Sequence, residues 1–195
     1  MASQHQTGGA QKALMSDEML AVQLRGGDAA AFHMLSQRYA VRLVNFAAKV
    51  LGSTAQAEDE VQEVFIKLWQ RPELFDADKA RFKTWIHRVT LNRCLDHKRR
   101  RQPGPIEGLE DQLAAPQPSA ADVMEAGGRD AAVRRAIDAL PARQRAALAL
   151  CHLEGLSNRE AADILDLKIK ALESLLSRAR ANLKQALTPI KEHLL

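Results

Sequence analysis

Residues 81–101 read RFKTWIHRVTLNRCLDHKRRR. Placed on a helix, Phe82, Trp85, Ile86 and Val89 fall at i, i+3, i+4 and i+7 and form an apolar stripe that must face a core. Leu91, Cys94 and Leu95 lie on another side, so neighbours are expected against two faces. Arg81, Lys83, Arg88, Arg93, Lys98, Arg99, Arg100 and Arg101 set eight positive charges against Asp96 alone. Aromatics at one end and arginines at the other describe either a phosphate-facing surface or a core helix whose basic end suits the C-terminal dipole. The rest of the chain decides between them.

The 195 residues permit one or two domains, and 27% charged with 46% hydrophobic residues is a globular composition. All eight aromatic residues lie at or before Trp85. One half must therefore build its core from rings and the other from Leu, Ile, Val and Ala, which predicts two separate cores. Charge is uneven as well. Between Pro103 and Gly128 the ionisable residues are Glu107, Glu110, Asp111, Asp122 and Glu125, all acidic, while both flanks are net positive. Basic, acidic, basic fits two modules for a polyanion joined by a tether that avoids it. No apolar run approaches the ~20 residues of a membrane span, and the N-terminus lacks an apolar signal segment. Cys94 and Cys151 fall in different modules, which fits two buried thiols in a reducing cytoplasm better than a disulfide. His87, Cys94 and His97 share one helix with no partner cluster, too little for a metal. No metal, cofactor or catalytic residue is expected.

The pattern divides the chain into a disordered N-terminus (1–15), a helical module (16–101), a flexible acidic linker (102–128) and a second helical module (129–195). Ser16 and Asp28 cap the first two helices, and Gly26–Gly27 and Gly52 stop them. The second helix carries Phe32, Leu35, Tyr39, Leu43, Phe46, Ala47 and Val50 at helical spacing. Ser53 or Thr54 opens a third helix with Ala57, Val61, Val64, Phe65 and Leu68 inward. Its outer face holds Asp59, Gln62, Glu63 and Ile66, either a docking surface for a basic partner or a lone surface isoleucine among carboxylates. Phe75, in the loop after Pro72, either plugs the core or stacks on a base. In the second module Val133, Ala136, Ile137 and Leu140 line the first helix, and Ser157 to Glu160 make a capping box. A short helix to Leu165 follows, with Ala161, Ile164 and Leu165 inward. After a turn at Asp166–Leu167 comes a longer helix lined by Ile169, Leu172, Leu176, Ala179 and Leu183, ending at Thr188–Pro189. Short helix, tight turn, longer helix is the helix-turn-helix pattern.

With both halves read, the chain resembles the extracytoplasmic-function (ECF) RNA polymerase sigma factors of the sigma-70 family, over about 28–101 and 129–185. AEDEVQEVFIKLW (57–69) is similar to region 2.2, FKTWIHRVTLNRCLDHKRRR (82–101) to regions 2.3–2.4, and LPARQRAALALCHLEGLSNREAADIL (140–165) with the following helix to region 4. The resemblance implies an all-α protein of two small helical domains that carries no catalytic group. It would bind core RNA polymerase, recognise the −35 and −10 promoter elements and open the strands under the control of an anti-sigma factor.

By that likeness Asp59, Gln62, Glu63 and Ile66 meet the β′ clamp helices. Phe75, Lys83, Arg88, Asn92, Arg93, Lys98 and Arg99 serve the −10 element, with a base pocket between Phe75 and about Arg81, and Trp85 is either a melting wedge or core. Region 4 meets the β flap and presents Arg159, Lys168, Lys170, Glu173, Ser174, Ser177 and Arg178 to the −35 element. Three positions depart from the family's habit. Asp166 replaces a turn glycine, Lys168 a Ser/Thr cap, and Glu173 and Leu175 stand where basic residues are common. Two other readings compete: a stand-alone helix-turn-helix regulator with a helical sensor domain, and a helical adaptor that binds protein only. An enzyme is least favoured, since no nucleophile–base pair or phosphate loop is present.

Overall fold

The computed structural model describes residues 14–101 and 129–192. Most of the expected disordered N-terminus and the whole acidic linker 102–128 lie outside these residues. Within them the architecture is all-α, with eight helices and no strand.

Local chemistry sets the first three helices as the sequence predicts. Helix α1 (Asp17–Arg25) begins where Ser16 Oγ accepts from the Met19 amide at 3.2 Å. The Asp28 carboxylate accepts from the Ala30 and Ala31 amides to start α2 (Ala29–Leu51), and Gly52 ends it at φ +81°, a left-handed turn that costs glycine little. Ser53 caps α3 (Thr54–Gln70). A single 3₁₀ turn (Pro72–Leu74) and a loop lead to α4 (Phe82–Arg101). Its first amide, on Phe82, donates to Glu18 Oε1 at 3.1 Å, so a carboxylate on α1 caps a helix 64 residues away.

The ring-built core is where expected. Leu35, Tyr39, Leu43, Phe46, Ala47 and Val50 of α2 pack with Ala57, Val61, Val64, Phe65 and Leu68 of α3. Phe32 is only half-buried, its ring edge-on to Phe65 and Trp69. Phe82 sits 5.1 Å from Phe75, 5.4 Å from Tyr39 and 5.7 Å from Trp85, ring to ring. Burying one such ring is worth roughly 1.5–3 kcal/mol.

The second module comprises α5 (Arg129–Asp138), α6 (Ala142–Leu148), α7 (Asn158–Leu165) and α8 (Ile169–Glu192). Helix α6 loosens into a π turn over Ala149–Leu153 before Gly155 turns the chain at φ +59°. The capping box forms as read. Ser157 Oγ accepts the Glu160 amide at 3.3 Å and Glu160 Oε2 accepts the Ser157 amide at 2.9 Å. Asp166 adopts φ +54°, the left-handed conformation that Asp tolerates better than most side chains. The Leu167 amide then donates to Ala162 O at 2.9 Å, closing the helix-turn-helix turn.

Four expectations change. The buried line of α5 is Ala132 and Ala136, continued past the helix end by Leu140, which leaves Val133 42% exposed. On α8, Ile169 is 46% exposed because its position precedes the covered part of the helix, while Leu175 is buried with Leu172, Leu176 and Ala179. Pro189 does not stop α8, which continues to Glu192; a proline near a helix end deprives only one carbonyl of its partner. Finally, the two modules do not keep separate cores. Leu150, Leu156, Ala161 and Ile164 join one hydrophobic cluster with the ring-built half, because α6 lies on α2 and α7 on α4.

Candidate polymerase and nucleic-acid interfaces

The outer face of α3 is assembled as predicted. Asp59, Gln62, Glu63 and Ile66 are all exposed on one side of the helix, Ile66 at 40%. Trp69, one turn beyond Ile66, is 43% exposed and extends the face with an aromatic; sequence reasoning passed over it, although its i+3 spacing from Ile66 carried the signal. The inner side of the same helix holds a charge that no apolar stripe announces. Glu60, 7% exposed, accepts from Arg93 Nε at 2.7 Å and faces His97 Nδ1 at 2.9 Å. Burial pushes its carboxyl upward, but the hydrogen bonds and charges of His97 and Arg93 outweigh that and hold it below the ordinary range.

Helix α4 distributes its cations unequally. Asn92 is exposed, and Arg99 is exposed while donating to Asp96 one turn earlier. Arg93 is tied to Glu60 and lies 4.0 Å from Glu63, so it braces α4 against α3. Lys98 is half-buried, and its ammonium is pushed down to about 8, first by burial and then by the charge of Arg145. Lys83 donates to Glu154 O at 3.1 Å and Arg88 to Asp163 O at 2.5 Å, both in the second module. Phe75 is 1% exposed between Phe82 and Trp85, so the structure uses it as the core plug and presents no ring there to a base. Trp85 is half-buried in the same cluster. The physical reason is spacing: the Pro72–Leu74 turn directs the loop inward, and Arg25 fixes it by donating to Phe75 O.

An open cleft of about 360 Å³ lies where the base pocket was expected, with Tyr39, Ala77, Ala80, Arg81, Lys83 and Glu160 among its lining residues. Tyr39 is held there by its hydroxyl donating to Asp17. Burial, then that hydrogen bond, raises its phenol far above the usual value.

His87 is fully buried rather than available as a ligand. Its Nδ1 lies 2.8 Å from Lys83 O and its Nε2 3.3 Å from Glu154 Oε2. Both ring nitrogens thus face an oxygen. Cys94 is also fully buried, and burial pushes its thiol up to about 12.

On the second module Arg159, Lys168, Lys170, Glu173, Ser174, Ser177 and Arg178 are all exposed. Lys170, Glu173, Ser174, Ser177 and Arg178 step by three and four along one side of α8, and Ser174 Oγ donates to Lys170 O at 2.9 Å. Exposed Ile169 precedes this stripe. Leu175 faces the core and contributes nothing to it. A helix-turn-helix whose second helix offers cations, hydroxyls and a carboxylate on one outward side has the equipment to read a major groove.

An exposed acidic face on α3, a basic helix beside a cleft, and a helix-turn-helix with a polar outward face together suit a promoter-directed polymerase subunit. Known proteins agree. The sigma-70 region 2 family matches residues 35–103 and the sigma-70 region 4 family residues 130–183. The ECF RNA polymerase sigma factor RpoE of Cereibacter sphaeroides is 35% identical over 161 residues, covering 81% of this chain and 87% of that one. The RNA polymerase sigma factor CnrH of Cupriavidus metallidurans is 30% identical, with coverage of 88% and 94%. Among solved structures, CnrH in complex with the cytosolic domain of CnrY superposes with a TM-score of 0.67 at 29% identity, over 90% of this chain and 99% of that one. RpoE in complex with the anti-sigma factor NepR from Bartonella quintana gives 0.58 at 26%, over 79% and 96%.

The chain belongs to the ECF RNA polymerase sigma factors of the sigma-70 family. It is a non-enzymatic initiation factor that binds core polymerase and promoter DNA. Among the described residues no helix is long and apolar enough to cross a membrane.

Proposed function

We propose that three surfaces divide the work of initiation. The face of Asp59, Gln62, Glu63 and Ile66, extended by Trp69, docks on the β′ clamp helices, where an apolar centre ringed by carboxylates suits a basic partner. Lys83, Arg88, Asn92, Lys98 and Arg99 of α4 hold the separated −10 strands, and the cleft beside Ala77–Arg81 receives an unstacked base, a step that costs a few kcal/mol. The outward face of α8 enters the major groove at −35. There Arg178 suits guanine O6 and N7, Glu173 accepts from a cytosine amine, and Ile169 supplies an apolar contact for a thymine methyl. Lys168, Lys170 and Arg159 hold phosphates, which positions the helix without specifying sequence.

The observation that carries this reading is the coincidence, in one chain, of an exposed apolar–acidic face on α3 and a polar outward face on α8 in separate modules. Two relatives solved with a protein bound, one of them with the anti-sigma factor NepR, support control by an anti-sigma factor, with the α3 face as contested ground. The site of action is the cytoplasm, where core polymerase is. Gel filtration with bacterial core polymerase tests the docking face: the wild-type chain co-elutes, Ile66→Glu with Trp69→Ala elutes apart, and equal co-elution of both sinks the assignment. For α8, Glu173→Ala relaxes the preference for a cytosine at one −35 position; an unchanged preference at every position removes Glu173 from the reading set.

A further inference from the structure

Arg93 stands apart from the other cations of α4, because its partners lie on α3. Its Nε donates to Glu60 Oε2 at 2.7 Å, and its Nη2 lies 4.0 Å from Glu63 Oε2. The two carboxylates sit one turn apart on α3 and differ in exposure. Glu60 is 7% exposed, and its other oxygen faces His97 Nδ1 at 2.9 Å. Glu63 is exposed, among the residues assigned to the polymerase. One guanidinium thus reaches from a buried anchor to the docking face.

A guanidinium in this position is not free to leave. Moving Arg93 to a strand phosphate would strip a buried carboxylate of its cation, and an uncompensated buried charge is far costlier than a broken surface pair. Arginine also suits the place better than lysine, since its planar fork reaches two acceptors at fixed angles. Helical spacing separates two tasks on α4. Arg93 and His97, four apart, face α3, whereas Arg88, Asn92 and Arg99, at steps of four and seven, are exposed on another side. The side that α3 holds is therefore not the side that offers groups to a strand.

Resting on the assignment of α3 to polymerase and α4 to the −10 strands, we propose that Arg93 is a positioning residue, anchored by Glu60 and Glu63, that touches no DNA. It fixes the middle of α4 against the helix that polymerase grips. The stripe of Arg88, Asn92 and Arg99 is thereby carried at a set angle to the docking face, and a separated strand meets side chains whose place is already determined. The strand-binding set loses one cation. In its place the opening step acquires a carboxylate on α3, Glu60, that the basic helix alone does not reveal.

The test uses holoenzyme reconstituted from the full chain and bacterial core polymerase, with a single-stranded −10 oligonucleotide from a promoter it transcribes. Arg93→Met is expected to weaken oligonucleotide binding by about tenfold through misplacement, while the slope of log affinity against log salt stays at its wild-type value. A slope shallower by about 0.7 marks one lost phosphate contact on a single strand and overturns the proposal. Affinity unchanged within about twofold overturns it as well. Glu60→Gln keeps an acceptor oxygen without the charge and should weaken binding in the same direction. Tighter binding with a steeper slope would mean that Arg93 had been released to a phosphate, and the proposal would fall. A variant that also loses −35 duplex binding is damaged generally, and the wild-type chain then decides. Its Arg93 Nε proton must keep its hydrogen-bonded NMR signal when the chain is saturated with the oligonucleotide; displacement of that signal refutes the bracket without relying on any variant's folding. Arg88→Ala combined with Arg99→Ala probes the reading beneath and should flatten the salt slope by about 1.4. If that pair changes neither affinity nor slope, the α4 assignment has failed; if it flattens the slope while Arg93→Met and Glu60→Gln leave binding unchanged, positioning alone has failed.

Discussion

The two modules solve the same problem with different materials. The first packs rings, with Tyr39, Phe46, Phe75 and Phe82 at its centre. It ties several cations of α4 to protein oxygens: Arg93 to Glu60, Arg99 to Asp96, Lys83 and Arg88 to the second module. The second has no Phe, Tyr or Trp, packs Leu and Ala, and turns its polar residues on α8 outward. The second module covers only part of the basic face of α4: Lys83 is partly buried, while Arg88, Asn92 and Arg99 remain exposed, as does the outward face of α8. The contrast also locates stability, since the larger rings sit in the first module and the second leans on them.

That last point gives the largest expected effect. Phe82→Ala removes a fully buried ring and should cost about 3–5 kcal/mol, while Leu172→Ala in the second module should cost about 2–5 kcal/mol. Because one core spans both modules, either substitution should move a single transition. Tryptophan fluorescence, which reports only the first module, and far-UV ellipticity should then coincide along a denaturant curve; two separated curves break the picture of a shared core.

Next comes the buried carboxylate. Glu60→Ala leaves Arg93 and His97 without their acceptor and should cost about 2–3 kcal/mol, below the figure for a fully buried pair because both partners are partly exposed. The folded-state value of Glu60 is depressed, so the unfolded chain takes up its proton first as pH falls. The stabilisation is present above the ordinary carboxylate range and is lost as pH drops through the folded value. Urea midpoints from pH 7 to pH 3 should fall less steeply for Glu60→Gln than for wild type.

Lys98 runs in the opposite direction across the junction. Its folded value is about 8 against an ordinary 10.5, so the unfolded chain binds its proton more tightly between those limits. Stability of the folded chain should therefore rise as pH climbs from 8 towards 10.5, since burial and the charge of Arg145 no longer oppose a cation. Lys98→Met should flatten that rise, and a stability that falls over the same interval in wild type contradicts the assignment. Smallest is the capping box: Ser157→Ala should cost about 1 kcal/mol and lower the thermal midpoint without altering the −10 surface.

Much of this was legible because it is local. Ser16, Asp28, Ser53 and the Ser157–Glu160 box announce helix starts within four residues of chain, and the outward face of α8 follows from a period of three and four. The acidic face of α3 was legible for the same reason. What escaped was long-range or lay at an end of a periodic run. Glu18 capping α4, Glu60 pairing with Arg93 and His97, and Lys83 and Arg88 bonding to the second module join residues that no window sees together. Periodicity also assumes that a helix is covered along its whole length, so it placed Val133 and Ile169 inward where each stays nearly half exposed. The lopsided aromatics suggested two cores because composition says nothing about how α6 and α7 dock on α2 and α4.

The claim that bears the rest is that the chain works only as the part of polymerase that selects and opens a promoter. Run-off transcription with bacterial core polymerase on fragments of the source genome measures this directly. Transcripts of discrete length should appear with the wild-type chain and vanish both without it and with Ile66→Glu combined with Trp69→Ala. Identical products with and without the chain would contradict the account.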